Sequence, residues 1–114
     1  MSLNARQMEE FKTDLDNHIA EKYQNFEELM LKSQFECFNR AGKDAEKFTR
    51  CMVEYTRNFE KETERLEFRN MFYLSQSLEC LENSKGDDKK VADCKVQTKK
   101  NIDSSFAEFF KSCQ

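Results

Sequence analysis

The sequence has no proline and only two glycines among its 114 residues. Both residue types interrupt helices and supply tight turns, so their scarcity predicts long helices and argues against a sheet-rich fold. Apolar runs are short as well, and none reaches the roughly 18 residues that a transmembrane helix needs. These absences predict a single all-α domain that is peripheral to a membrane at most.

Histidine is almost absent too, and the single one, His18, lies far in sequence from every cysteine. Catalysis by a cysteine or serine nucleophile normally requires a positioned base. The acidic residues around His18 lack the central glycine of a calcium loop, and two glycines cannot form a glycine-rich phosphate loop. We therefore predict that the protein is not an enzyme and has no catalytic residue, no metal, no cofactor and no small-molecule substrate.

The charge is nearly balanced, with 19 basic and 22 acidic residues and a formal net charge of −3. The most basic segment, residues 85–100, is interrupted by Asp87, Asp88 and Asp93. Nucleic-acid binding depends on many uncompensated cations, so we predict no nucleic-acid partner. The acidic N-terminal segment has neither the apolar stretch of a secretory signal nor the arginine-rich composition of a matrix presequence, and we expect no cleaved targeting segment.

The two glycines mark the chain reversals. Gly42 is followed by Asp44, and Gly86 by Asp87, so each pair combines a residue that ends a helix with one that caps the next. The uninterrupted stretches between them predict helices over about 4–39, 44–82 and 88–112. Short loops between helices favour antiparallel neighbours, which gives an up-down-up arrangement of three long helices.

Each stretch carries apolar residues three or four positions apart, as one face of a helix does. In the first stretch this predicted face has one seven-residue step, across Ser33, and comprises Met8, Phe11, Leu15, Ile19, Tyr23, Phe26, Met30 and Cys37.

The spacing of four cysteines carries the main inference. Cys37 and Cys51 are equidistant from Asp44, and Cys80 and Cys94 are equidistant from Asp87. In an antiparallel hairpin, residues equidistant from the turn lie level with each other. The pattern predicts two hairpins that share the central helix, with disulfides Cys37–Cys51 and Cys80–Cys94.

Two other interpretations compete with the disulfides. A single zinc ion cannot hold both pairs, because Cys51 and Cys80 are separated by about 44 Å along one helix. Four buried free thiols remain the alternative, since cysteine is a common core residue. The fifth cysteine, Cys113, falls on the apolar face of the third helix, which indicates a buried thiol or, alternatively, an intermolecular bond.

The lengths of the three helices leave part of the molecule uncovered. If helices pair symmetrically about the turns, the third helix ends beside residue 61 or so, and residues 28–60 project as two helices. This projection is more apolar than one two-helix seam can hide, so another chain covers it or the third helix packs differently. The predicted partner-binding residues are Leu31, Phe35, Phe38, Phe48, Met52, Tyr55 and Phe59.

Two helical hairpins, each pinned near its turn, resemble the twin-cysteine proteins of the mitochondrial intermembrane space. More narrowly, the chain resembles the "family with sequence similarity 136" group, whose pattern Cys-x3-Cys-x13-Cys-x3-Cys occurs twice along three helices. The inner cysteines of that pattern fall on Cys37, Cys51, Cys80 and Cys94, whereas the outer ones fall on Ser33, Tyr55, Gln76 and Thr98. With Leu29-Met30 before the first motif and Lys99-Lys100 after the last, the match covers about residues 29–100.

The resemblance implies that inner cysteines pair with inner ones and that the chain is imported by the oxidative relay of the intermembrane space. Apolar residues flanking the cysteines would help to engage the oxidase; the candidates are Phe35, Phe38, Leu78 and Leu81. We expect a non-catalytic accessory subunit on the intermembrane-space side of an inner-membrane assembly, a respiratory-chain or ATP synthase complex. The alternative is a small chaperone that shields hydrophobic precursors, and a cytosolic helical adaptor with reduced thiols is a third interpretation.

Overall fold

The computed structural model describes residues 3–113, and every regular element in that range is helical. The helices are α1 (Ala5–Tyr23), α2 (Asn25–Ala41), α3 (Ala45–Ser84) and α4 (Asp88–Ser112). The all-α class and the antiparallel hairpins predicted from the sequence are confirmed. Across residues 3–113, no helix is both long and apolar enough to cross a bilayer.

Side chains cap the starts of α1, α3 and α4. Asn4 and Gln7 form a reciprocal capping box at the start of α1. At the start of α3 the Asp44 carboxylate accepts hydrogen bonds from the backbone N–H groups of Glu46 and Lys47. Asp87 does the same for the first turn of α4. The two aspartates therefore act as the N-caps that the sequence predicts.

The turns end the preceding helices through left-handed backbone conformations. Gly42 follows α2 with φ of 62°, a region that glycine enters without steric cost. At the second turn both Lys85 (φ 51°) and Gly86 (φ 81°) are left-handed. Backbone bonds close both reversals, from the Asp44 N–H to the Ala41 carbonyl and from the Asp87 N–H to the Ser84 carbonyl.

The first predicted helix, 4–39, is divided into α1 and α2 by the single residue Gln24. The backbone of Gln24 stays near helical values, and its N–H bonds to the carbonyl of Glu21 three residues earlier. The interruption coincides with a change of neighbour, because α1 packs on α4 whereas α2 packs on α3. No glycine or proline marks this position, so the sequence contained no local signal for it.

The molecule is a rod whose Cα atoms extend over 67 × 18 × 18 Å. Its length comes from α3, whose 40 residues span about 60 Å. Helix α4 packs along α3 from the second turn and ends at Ser112, whose carbonyl accepts a hydrogen bond from the Asn58 side chain. The predicted end of the third helix, beside residue 61 or so, lies within one turn of this contact.

Aromatic rings fill the core where the junction of α1 and α2 meets the end of α4. Phe26 stacks on Phe109 with ring centroids 4.6 Å apart, and Tyr23 meets Phe106 edge to face at 5.2 Å. Phe59 closes the cluster from α3, with its ring 5.7 Å from that of Phe109. Large rings supply much buried area per residue, so a chain with 38% hydrophobic residues can still form a core.

Ion pairs fasten α1 to α4 beside the buried Phe11 and Leu15. Lys95 bonds to Asp14, and this contact lowers the pKa of the Asp14 carboxyl. His18 lies 2.6 Å from an Asp103 carboxylate oxygen, and Lys22 lies 3.3 Å from the same oxygen. Partial burial alone would raise the pKa of the Asp103 carboxyl, but its contacts with His18 and Lys22 outweigh this effect, and the pKa is lowered. His18 therefore links α1 to α4 through its contact with Asp103.

Both predicted disulfides are present. Cys37–Cys51 joins α2 to α3 with 5.6 Å between Cα atoms, and Cys80–Cys94 joins α3 to α4 with 5.9 Å. The free-thiol alternative is therefore wrong for these four residues. Cys113 is free and buried.

Two residues of the face predicted for the first stretch are in fact exposed, namely Met8 and Met30, which are 36% and 50% exposed. Ser33 lies between Met30 and Cys37, at the position where a strict apolar pattern would have a hydrophobic residue. It is buried, and its hydroxyl donates to the Leu29 carbonyl at 3.0 Å. Ser77 on α3 is buried in the same way and bonds to the Leu74 carbonyl. Small hydroxyl side chains fit the seams because the helix backbone satisfies them.

We expect Phe109→Ala to destabilise the fold by about 3–5 kcal/mol, because it removes a fully buried ring that contacts Phe26 and Phe59. Denaturant unfolding followed by circular dichroism measures the change. Phe35→Ala, at a ring that is 64% exposed, is the matched control and should shift stability by no more than about 0.5 kcal/mol. Equal losses in the two variants would contradict the assignment of the core.

Removing Cys37–Cys51 should release one end of the rod while the rest stays folded. A bond closing a loop of this size contributes about 3 kcal/mol in the chain-entropy model, and α4 ends before the segments of α2 and α3 that this bond joins. In Cys37→Ala/Cys51→Ala, amide hydrogen exchange should accelerate over residues 34–54 and stay slow around Leu66 and Ile102. The matched variant Cys80→Ala/Cys94→Ala should accelerate exchange near the second turn instead. Uniform acceleration along the whole chain in the first variant would refute this division.

Candidate protein-binding site

The end of the rod beyond α4 is a two-helix projection, which we call the arm and define as residues 34–54. It contains the last two turns of α2, the turn at Gly42, and the first turns of α3. Within the part of the chain that the structure describes, α4 packs along α3 and α1, and it meets α2 only through side chains at its own C-terminal end, such as Phe109 against Phe26. The arm is therefore held together by one helix–helix seam and one disulfide.

The inner seam of the arm is narrow. Cys37 is 3% exposed and lies between the buried Ser33 and Ala41. Across the seam Tyr55 and Cys51 are half-buried and line the same groove as Cys37. Burial raises the pKa of the Tyr55 hydroxyl, which keeps it neutral. Small residues on α2 thus let the two helices approach to the distance that the disulfide spans.

Apolar side chains also cover the opposite, outward side of α2. Leu31, Phe35 and Phe38 are 53%, 64% and 61% exposed and recur at helical spacing. We call these three residues the outer stripe. On a helical wheel they lie about 100° to 160° from the buried Ser33 and Cys37. More than half of each side chain in the outer stripe therefore lies outside the seam between α2 and α3.

The remaining predicted partner-binding residues occupy different environments. Phe48 and Met52 are half-buried on α3, and the Phe48 ring meets Phe38 edge to face at 6.4 Å. Tyr55 points into the seam, as described above. Phe59 packs against Phe26 and Phe109 in the core, so we leave it out of the candidate docking surface. The structure thus groups Phe38 and Phe48 and separates Phe59 from them.

One exposed apolar surface was missed by the sequence reasoning. Phe68, Met71 and Phe72 on α3 are 60%, 59% and 58% exposed. We call them the back stripe. They lie on the side of α3 opposite the buried Leu66 and Ser77. A helical wheel of α3 could have revealed them. The wheel shows two apolar faces on this helix, whereas packing against a single core requires only one.

Charge around the tip of the arm is predominantly basic. Four cations lie within twelve residues of sequence, whereas Asp44 and Glu46 are the acidic residues of the same segment. The Asp44 carboxylate is already engaged by the N–H groups that it caps. The cations are exposed; they are Arg40, Lys43, Lys47 and Arg50.

Cys113 lies at the base of the arm, where the end of α4 meets α2 and α3. The residue is 8% exposed. Burial, reinforced by the nearby carboxylate of Glu62, raises the pKa of the Cys113 thiol. The thiol form therefore predominates at neutral pH, and the side chain acts as a small apolar core residue.

The arrangement offers apolar contact area. The groove at the base of the arm is open and is lined by Ser33, Glu36, Tyr55, Asn58 and Cys113. Among residues 3–113, no group of three or more His, Cys, Asp or Glu side chains is placed to hold a metal ion.

Comparison with family models, curated proteins and solved structures found no match to this chain. The candidate site is therefore argued from its own geometry.

We expect alkylation to label one cysteine of the non-reduced protein. In denaturant without reductant, iodoacetamide should add a single adduct, at Cys113, because the other four sulfurs are in disulfides. In the native protein at pH 8 the same reaction should be at least about tenfold slower, since burial and the raised pKa suppress the thiolate. Intact-mass spectrometry gives both results.

Cys113→Ser is the control and should take up no adduct under either condition. More than one adduct without reductant would show that a disulfide is missing, and rapid native labelling would contradict the burial of Cys113.

Proposed function

We propose that this protein is a non-catalytic accessory subunit that docks its arm on a larger protein assembly. The observation that carries the proposal is the outer stripe, in which Leu31, Phe35 and Phe38 are each more than half exposed on a two-helix projection. Contiguous exposed aromatic area of this kind marks protein-binding surfaces, where aromatic anchors supply most of the binding energy.

The disulfide makes the arm a suitable docking element. Ordering a flexible segment on binding opposes association, whereas a preorganised segment loses little entropy. Cys37–Cys51 holds α2 against α3 directly behind the outer stripe, with 5.6 Å between Cα atoms. Phe35 and Phe38, which flank Cys37, are therefore displayed on a rigid backbone.

Charge indicates the chemistry of the partner. The outer stripe leads to the basic tip with Arg40, Lys43, Lys47 and Arg50. The complementary surface would be an apolar groove bordered by carboxylates, because opposite charges at the rim steer association and set orientation. A partner with a basic border would be repelled.

Two disulfides support an oxidising compartment. The resemblance to twin-cysteine proteins supports the intermembrane space of mitochondria as that compartment. There the protein would serve an inner-membrane assembly, a respiratory-chain or ATP synthase complex, from its intermembrane-space side. Protein subunits of that complex are the proposed partners.

The test separates mitochondrial proteins by size without denaturation and locates the tagged chain. Wild type should co-migrate with one large complex. Phe35→Glu/Phe38→Glu should shift at least about 90% of the protein to a free pool, because two charges enter an apolar contact. Val96→Glu, on α4 at a side chain that is 54% exposed, is the matched control and should co-migrate like wild type.

The same fractionation distinguishes the chaperone alternative. A wild-type pool that is small and free, and that crosslinks to many hydrophobic precursors through the outer stripe, would replace the accessory-subunit proposal with a carrier function. Recovery of the protein outside mitochondria would overturn the proposed compartment.

A further inference from the structure

The back stripe of α3 is separate from the arm. Phe68, Met71 and Phe72 lie at the level of the three-helix part of the rod, about 20 Å or more along α3 from the arm. Each is nearly 60% exposed. The core face of the same helix, with Leu66 and Ser77 buried, points the opposite way. This surface therefore plays no part in the fold or in the docking proposed above.

The residues along this face are arranged symmetrically. Lys61, Phe68, Phe72 and Glu79 follow one another at intervals of seven, four and seven residues. At 3.6 residues per turn, all four fall within about 40° of one line along the helix. The midpoint of the series is Asn70, so Lys61 and Glu79 are equidistant from it, as are Phe68 and Phe72.

Such symmetry has a consequence for pairing. In an antiparallel helix pair with a two-fold axis at position 70, Lys61 of each copy faces Glu79 of the other, and Phe68 faces Phe72. A parallel pair would place like charges together at both ends. A two-fold interface requires a self-complementary patch, and this face has that property.

We propose that the back stripe binds a second copy of this chain and forms an antiparallel homodimer about position 70 of α3. The positions of Lys61 and Glu79 along α3 favour both a second copy as the partner and an antiparallel orientation of the two helices. Two aromatic contacts would form the centre, and two Lys61–Glu79 pairs would close its ends.

The charged neighbours agree with this register. Lys61 and Glu79 are both exposed, and within residues 3–113 neither forms an ion pair, so both are available to a partner. Arg57 falls within one residue of the level of Glu82 of the other copy, which adds a pair of opposite sign. Glu64 falls opposite Gln76. Glu60 falls opposite Cys80, one residue from the level of Glu79 of the other copy, which in this register is paired with Lys61.

The experiment measures the dimer dissociation constant of the full oxidised chain by sedimentation velocity over a range of concentrations. Wild type should be a dimer at micromolar concentration. Phe68→Glu should raise the dissociation constant at least about a hundredfold, because the two-fold axis introduces the buried charge twice. Phe35→Glu, on the outer stripe, should leave it unchanged within about twofold.

Charge reversal tests the register. Lys61→Glu alone and Glu79→Lys alone should each raise the dissociation constant about tenfold, since each reversal makes two like-charged contacts. The double reversal Lys61→Glu/Glu79→Lys should return it to within about threefold of wild type. A zero-length carbodiimide crosslink between Lys61 and Glu79 should also form, and it must join two copies because these residues are about 27 Å apart on one helix.

Several results would overturn the proposal. Wild type that stays monomeric up to about 100 µM would show that the back stripe does not self-associate. A dimer that Phe35→Glu abolishes and Phe68→Glu preserves would place the interface on the arm. Failure of the double reversal to restore binding would refute the antiparallel register.

Discussion

Covalent closure of both hairpins is the constraint on which the rest of this structure depends. Each bridge joins residues equidistant from a turn, Cys37 to Cys51 and Cys80 to Cys94, so each fixes the register of two antiparallel helices. Constraining the unfolded chain matters most where burial is small. The arm is such a place, because α2 and α3 meet there along one seam without the cover of α4.

The aromatic cluster complements the disulfides at the centre of the rod. Phe26 and Phe109 stack where the direction of packing changes, with α1 turning to α4 and α2 to α3. The bridges hold the two ends, and the rings hold the middle. An elongated molecule, 67 Å long and 18 Å wide, can thereby keep one continuous core although most of its side chains face water.

In a rod this narrow, the core does not bury all of the apolar surface that the helices present. The outer stripe on α2 and the back stripe on α3 are both apolar, and both lie opposite a buried seam. Their settings differ, because the outer stripe adjoins a basic tip whereas the back stripe lies between a lysine and a glutamate placed symmetrically. That difference is why the first is assigned to an acidic, apolar partner and the second to another copy of the chain. The two surfaces are far enough apart for both contacts to form together.

The helices, their turns and the pairing of four cysteines followed from the amino-acid sequence, because capping, glycine placement and symmetric spacing are local or regular signals. Asp44 and Asp87 cap as their positions predict, and the bridges follow from distance to the turn. Tertiary packing decided the rest. Periodicity reveals that Phe35 and Phe59 are on apolar faces, but it does not reveal which neighbour covers them. Phe59 is covered because α4 extends far enough to bring Phe109 against it, and Phe35 stays exposed because it lies on the side of α2 opposite the buried Ser33 and Cys37. The break at Gln24 likewise arises from contact between distant segments, for which a single stretch of sequence carries no signal.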